Sequence, residues 1–355
     1  MASSGINDSN SLTEQGINLQ ISGVERIILP VPEKKPNANT LVDMNISIVN
    51  NSLIPFRFNR SGTLIPQIVG SDEQVLQIQE PRDRRKSNKY DDYLVTAGEK
   101  IFAFLYVQIY WLNNKLQLQI PSTSTELSTE SDNFWKVNNI ELGIYTLRFI
   151  YRTNIKTAVG IETVRLYTQS IILHLIEPVQ GNNRIVEFDG IRFETLVPKQ
   201  ILIIPEKQPE STTFVQFGLN ITNMSSTPYR FKFHGLKPEI QSSAGKLLRR
   251  LYNINASIGI EESHFLVAVP GETLTCFLDC VLYWESNDQL VMRGRDSIGG
   301  YWFFTNLNSG SYQVRFTYKG STQSSVTRLL RGIVIENLWT GIVTTPFIDF
   351  QLVNK

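Results

Sequence analysis

The chain is poor in the residues that most chemistry needs. Two cysteines and three histidines occur in 355 residues. Cys276 and Cys280 stand in TCFLDCVLYW. In an extended strand they share one face about 13 Å apart at roughly 3.3 Å per residue, beyond the ~7 Å reach of a disulfide. His174, His234 and His264 are scattered, with no zinc-ligand spacing around them. A nucleophile elbow, a phosphate-binding loop and a dinucleotide fingerprint are all missing. No apolar run of about 18 residues occurs, so no membrane-spanning helix is expected. The first fifteen residues have neither a basic segment nor an apolar one, so a cytoplasmic protein without a leader is expected. A formal net charge of +1 argues against binding nucleic acid or membrane through bulk charge. Amphipathic helical patterning is nearly absent, and its nearest approach is 246–252.

What the chain does have is a stretch that occurs twice. Residues 28–58 read ILPVPEKKPNANTLVDMNISIVNNSLIPFRF, and residues 201–231 read ILIIPEKQPESTTFVQFGLNITNMSSTPYRF. One constant offset matches Pro32/Pro205, Glu33/Glu206, Lys34/Lys207, Pro36/Pro209, Asn50/Asn223, Ser52/Ser225, Pro55/Pro228, Arg57/Arg230 and Phe58/Phe231. The same offset carries Gly98-Glu99 onto Gly271-Glu272 and Trp111 onto Trp284. Agreement in register over that span is the signature of an internal duplication. It places Ala103 and Val107 opposite the two cysteines, which makes the thiols structural rather than a redox pair.

Each copy reads as a succession of strands. Leu41, Met44, Ile46 and Ile48 match Phe214, Phe217, Leu219 and Ile221. A turn on Asn-x-Ser-x-x-Pro follows, and then a variable region, 62–93 or 235–265. Beyond a Gly-Glu turn lies the longest strand, 101–111 or 273–284. It is apolar on both parities and so is expected to be central and largely covered. The copies meet again at 134–151 and 301–318, where Trp135/Trp302, Gly143/Gly310, Tyr145/Tyr312, Arg148/Arg315 and Phe149/Phe316 coincide. A last strand closes each, 164–175 and 338–352, with Trp339-Thr340 echoing Tyr167-Thr168. The boundaries read as a tail over 1–15, a first repeat over 16–178, a linker over 179–189 and a second repeat over 190–355. The fold class expected is all-β: two duplicated antiparallel immunoglobulin-like β-sandwich domains.

Candidate contact residues are few. The loop RDRRKSNK supplies Arg82, Arg84, Arg85, Lys86 and Lys89, and the second copy has Arg249 and Arg250. Such charge suits an acidic partner face, although acidic neighbours dilute it. Asp91-Asp92 and Glu261-Glu262 lack the spacing of a calcium loop. The retained arginines, Arg57/Arg230 and Arg148/Arg315, suit cross-strand pairing or stacking on an aromatic ring. Trp111, Trp284, Trp135 and Trp302 read as core or end plugs.

Leu142–Phe149 and Ser309–Phe316 carry Gly-x-Tyr-x-x-x-Phe. This resembles the entry to the penultimate strand of immunoglobulin-like and fibronectin-III-like domains. The resemblance implies a tyrosine corner at Tyr145 and Tyr312, with the ring in the core and the hydroxyl on a nearby backbone group. The antibody cysteine pair is absent, and each copy is longer than the roughly 100 residues usual for that fold. The Asn-x-Ser turn together with the Gly-x-Tyr strand is also similar to the small intracellular proteinase inhibitors of bacteria. The function expected is non-enzymatic, without metal or cofactor: a structural or protein-interaction protein with a protein partner or self-assembly. A proteinase inhibitor presenting 82–89 or 121–133 is the alternative. A carbohydrate-binding module is another, and it requires an exposed Trp135, Trp302 or Trp339.

Overall fold

The computed structural model describes residues 17–21, 25–32, 34, 38–53, 55–59, 64–81, 92–121, 134–157, 160–177, 184–208, 210–233, 236–254, 264–285, 289–296, 300–321 and 334–355. Among these there is no α-helix. The chain separates into two compact units, Met1–Glu25 with Leu41–His174, and Arg26–Thr40 with Leu175–Lys355. The second unit therefore takes in a short segment from early in the chain.

The strands of the first half are β1 (Ile17–Ile21), β2 (Arg26–Pro30), β3 (Asn39–Asn50), β4 (Phe56–Asn59), β5 (Leu64–Gly70) and β6 (Asp92–Val95). They continue with β7 (Lys100–Leu112), β8 (Lys115–Pro121), β9 (Phe134–Asn138), β10 (Gly143–Thr157), β11 (Gly160–Tyr167) and β12 (Ile171–Ile176). The second half has β13 (Ile185–Phe188), β14 (Ile191–Leu196), β15 (Ile201–Ile203), β16 (Thr212–Asn223), β17 (Tyr229–Lys232), β18 (Pro238–Ser242) and β19 (Leu251–Ile254). The remainder are β20 (Phe265–Ala268), β21 (Thr273–Glu285), β22 (Gln289–Arg295), β23 (Gly300–Leu307), β24 (Gly310–Lys319), β25 (Ile342–Thr344) and β26 (Ile348–Val353). Strand β13 lies inside the stretch read from the sequence as a linker.

In the first unit one sheet runs β1-β3-β7-β8-β9. Strand β10 pairs antiparallel with β11 on one side and β5 on the other, and β4 pairs with β6. Alternation puts Met44, Ile46 and Ile48 of β3, Val107 and Ile109 of β7, and Leu147, Phe149 and Tyr151 of β10 out of water. In the second unit a seven-stranded sheet runs β13-β14-β16-β21-β22-β23-β19. Strand β24 carries β18, β25 and β26 as antiparallel partners, while β15 runs parallel to β26 and β2 parallel to β25. Val215, Phe217, Leu219 and Ile221 of β16 share one core with Tyr312, Val314, Phe316 and Tyr318 of β24. The rings of Phe217 and Phe350 lie 5.2 Å apart, centroid to centroid, across it.

Equivalent positions of the two copies make equivalent bonds. Asn50 and Asn223 are both fully buried. Each carboxamide nitrogen donates to the strand after the variable region, at Val95 O (3.0 Å) and Ala268 O (2.8 Å). Each carboxamide oxygen accepts from the Ser52 or Ser225 hydroxyl at 2.6 Å. Tyr145 donates its hydroxyl to Glu141 O and Tyr312 to Asn308 O, both at 3.0 Å and four residues upstream. Asn139 and Asn306 occupy the left-handed region at φ 59° and 58°. Gly143 and Gly310 have φ of 147° and 151°, which favours a residue without Cβ.

The structure aligns more than the sequence suggests. In the variable regions Gly70 N–H bonds Gln74 O and Leu76 N–H bonds Ile68 O. Ser242 N–H to Lys246 O and Leu248 N–H to Ile240 O repeat that hairpin. The last strands correct the sequence alignment. Thr168 and Thr345 each accept a backbone N–H at the hydroxyl, from Phe149 (2.9 Å) and Phe316 (3.0 Å). Thr345, not Thr340, stands in the place of Thr168.

Candidate functional site

The two central strands, β7 and β21, are flanked on both sides, but the expectation that they are largely covered fails for β21. Its outward parity faces water: Thr273, Thr275, Phe277 and Asp279 are exposed. Cross-strand register builds this face into rows. Phe214 of β16 stands opposite Val281 of β21. Val281 in turn stands opposite Arg293 of β22. Arg293 is opposite Phe303 of β23, and Phe303 is opposite Leu251 of β19. The next row runs Gln216, Asp279 and then, across β22 and β23, Arg295 and Tyr301.

The face is apolar, aromatic and basic. Phe214 is 54% exposed, Phe277 43% and Leu251 42%. Val281, Tyr283, Tyr301 and Phe303 are half-buried, and Arg293 and Arg295 are exposed. The Arg293 guanidinium carbon sits 5.5 Å from the Tyr283 ring centroid and 5.7 Å from that of Tyr301. The Arg295 guanidinium carbon is 5.8 Å from the Tyr301 centroid. Such contacts at exposed sites are worth about 0.5–1 kcal/mol and favour this placement of the guanidiniums. Phe277 lies over Gly218, where an added Cβ would come within 2.7 Å of the ring. The only carboxylate in these rows, Asp279, accepts from Gln216 Nε2 at 2.9 Å.

The matching positions of the first copy carry different chemistry. Val281 aligns with Gln108 and Phe303 with Lys136. Gln119, opposite Gln108, occupies the place of Arg293. Gln119 Nε2 donates to Gln108 Oε1 at 2.6 Å, so this pair satisfies itself. At these three positions the first copy carries Gln, Gln and Lys where the second carries Val, Arg and Phe.

The residues singled out in the sequence fall elsewhere. Arg82, Arg84, Arg85, Lys86 and Lys89 lie outside the described residues, as do Asp91, Glu261, Glu262, His234 and the stretch 122–133. Arg249 and Arg250 follow the repeated hairpin and lead into β19, where the first copy has Gln77 and Ile78. Arg250 Nη1 donates to Pro238 O at 2.9 Å. Trp135, Trp302 and Trp339 are all buried, at 2%, 0% and 1% exposure, so none offers the flat surface ring a sugar platform needs. Trp284 is half-buried, donates Nε1 to Pro205 O at 2.8 Å, and lies under the Lys207 ammonium. Trp111, its counterpart, is half-buried as well.

Of the retained arginines, Arg148 bonds Gln67 across β5 and covers the Tyr167 ring. Arg315 is 1% exposed and donates Nε to Glu239 of β18 at 2.8 Å, with Phe347 beneath it. Burial alone would raise the Glu239 carboxyl. Arg315, Thr317 and Arg250 outweigh it and hold the group below the usual carboxylate range.

An open cleft of about 710 Å³ in the first unit is lined by Asp72, Gln77, Asn139, Glu141 and Tyr145 among others. The Tyr145 hydroxyl that faces it is already committed to Glu141 O. Both thiols are free, and burial raises Cys276 to about 11 and Cys280 further. Among the described residues no three His, Cys, Asp or Glu side chains come together as a metal site. No helix there is long and apolar enough to cross a membrane. Neither a scan against models of known protein families nor a search of curated proteins finds a match to this chain.

Proposed function

We propose that the protein is a non-enzymatic interaction protein built from two copies of an immunoglobulin-like β-sandwich. In this reading the outward face of β16, β21, β22 and β23 in the second copy docks a protein partner. The sandwich reading is supported by the paired tyrosine hydroxyls, each bonded four residues upstream, and by the core shared between the sheets of the second unit. It is supported too by the parallel pairing of β15 with β26 at the end of the antiparallel β24–β26 ladder.

One observation carries the docking face. Positions that are Gln108, Gln119 and Lys136 in the first copy are Val281, Arg293 and Phe303 in the second. Stability does not require the change, because the first copy solves the same positions with polar groups. Tyr, Phe and Arg are the residues enriched at protein interfaces and at their energetic centres. Contiguous exposed apolar surface on a folded unit marks such a site. The chemistry fits a partner surface that combines apolar groups with carboxylates to meet Arg293 and Arg295.

The test is the native mass of the full chain captured from its own source, with Phe214→Glu and Arg293→Glu compared at equal fold stability. A complex of fixed ratio that both variants lose supports the reading. A complex that both variants keep, or a wild-type chain that is monomeric throughout, contradicts it.

A further inference from the structure

A second cluster in the same unit adjoins that face, with Arg250 next to Leu251 and Asp296 next to Arg295 in the chain. Lys232 ends β17, Lys237 immediately precedes β18, Arg250 immediately precedes β19 and Lys319 ends β24. The Lys237 ammonium sits 3.1 Å from the centre of the Tyr252 ring. That ring is fixed in place. Its hydroxyl donates to Asp296 Oδ2 at 2.5 Å, and a Cβ at Gly300 would fall 2.1 Å from the hydroxyl oxygen. Arg250 is anchored beside Lys237 by its bond to the carbonyl of Pro238.

The acids nearby are already committed. Asp296 is buried and uses its other oxygen, Oδ1, to accept the Gly300 N–H at 2.7 Å. Glu239 bonds Arg315 and Thr317 and also faces the Arg250 charge. Among the described residues no carboxylate forms an ion pair with Lys232, Lys237 or Lys319. The Lys232 N–H bonds Tyr318 Oη, next to Lys319, and β18 begins beside β24 with Pro238 opposite Phe316. The four cations therefore gather at one end of these strands, where burial holds Lys232 and Lys237 below the usual lysine range. A multiply charged anion relieves that arrangement.

We infer that Lys232, Lys237, Arg250 and Lys319 form a site for a phosphate-type oxyanion, with the Tyr252 ring holding the Lys237 ammonium in place. The shared chemistry is a tetrahedral dianion, supplied either free or as a phosphomonoester. Guanidinium and ammonium donors together suit that group. The protonation of Lys237 supports the assignment. Its pKa is lowered to about 8 by burial first, then by Arg250 and Lys319, with Asp296 opposing. Tyr252, also in contact, is raised to about 12 and stays neutral. Lys237 is thus about half protonated near pH 8, and a bound anion draws it to full charge.

The experiment titrates the full chain at pH 8 and constant ionic strength with inorganic phosphate, phenyl phosphate or chloride, read by calorimetry in buffers of differing ionisation heat. Saturable binding of either phosphate compound with proton uptake is expected. Lys237→Met and Arg250→Gln should each weaken it at least tenfold while melting within a few degrees of wild type. Binding of phenyl phosphate alone assigns the site to phosphorylated molecules, and binding of both assigns it to the free anion as well. A response equal to chloride, binding without proton uptake, or binding unchanged in both variants overturns the site. These outcomes are read from phosphate binding alone, so their failure is distinguishable from loss of a docked partner.

Discussion

Asn223 uses every polar valence it has on the turn at Ser225 and on strand β20 beside it. Its oxygen accepts the Ser225 N–H at 3.0 Å and hydroxyl at 2.6 Å, and its nitrogen donates to Thr227 O and Ala268 O, both at 2.8 Å. A fully buried side chain with four bonds ties the turn to β20, and removing it takes a donor from Ala268 O and leaves Thr227 O with the Ser225 hydroxyl. Asn223→Ala should cost about 3 kcal/mol in chemical denaturation. Asn223→Asp should cost as much, because the carboxylate keeps the acceptors and loses both donors.

Trp302 fills the space over Gly294 on the strand beside it. A Cβ at Gly294 would lie 2.0 Å from the ring, and the ring is wholly buried with nowhere to move. Gly294→Ala should lower stability by roughly 2 kcal/mol through overpacking. Pairing it with Trp302→Phe should recover part of the loss, which a double-mutant cycle measures.

Glu239 and Arg315 form a buried pair whose pH dependence has a definite sign. The Glu239 carboxyl is held below its usual range when folded, so the native state binds fewer protons than the unfolded one as the acid titrates. The stability it confers is complete above the usual carboxylate range and is lost as pH falls through the lowered folded value. Glu239→Gln should cost about 3 kcal/mol at neutral pH. The gap to wild type should narrow in acid, as urea melts between neutral and acidic pH would show.

Cys276 is raised to about 11 by burial. Only about a thousandth of it is thiolate at pH 8. Alkylation of the native protein should therefore be slow at pH 8, quicken about tenfold per pH unit up to the thiol's own range, and reach Cys280 last. Rapid labelling of either thiol at pH 7 contradicts this burial.

Local patterns are legible in the sequence, and non-local ones are not. Asn50/Asn223 and Tyr145/Tyr312 bond within a few residues, so their spacing announces them. The hairpins 70–76 and 242–248 are held by backbone groups, and the left-handed position is Glu73 in one and Gly245 in the other, which leaves no residue match to find. Thr345 escapes the alignment because Trp339-Thr340 offers a nearer chemical echo of Tyr167-Thr168 in the wrong place. On β21, apolar residues of both parities read as burial on both faces. The usable signal lies in the outward positions where the copies disagree, Gln108 against Val281 and Lys136 against Phe303.

The docking face on the second copy is read out by light scattering of the natively captured chain, wild type beside Arg293→Glu. The wild-type particle should be heavier than one chain, of fixed ratio and resistant to nuclease, and the variant should fold equally well but run as a monomer. A variant particle of unchanged mass, or a wild-type monomer, would contradict it.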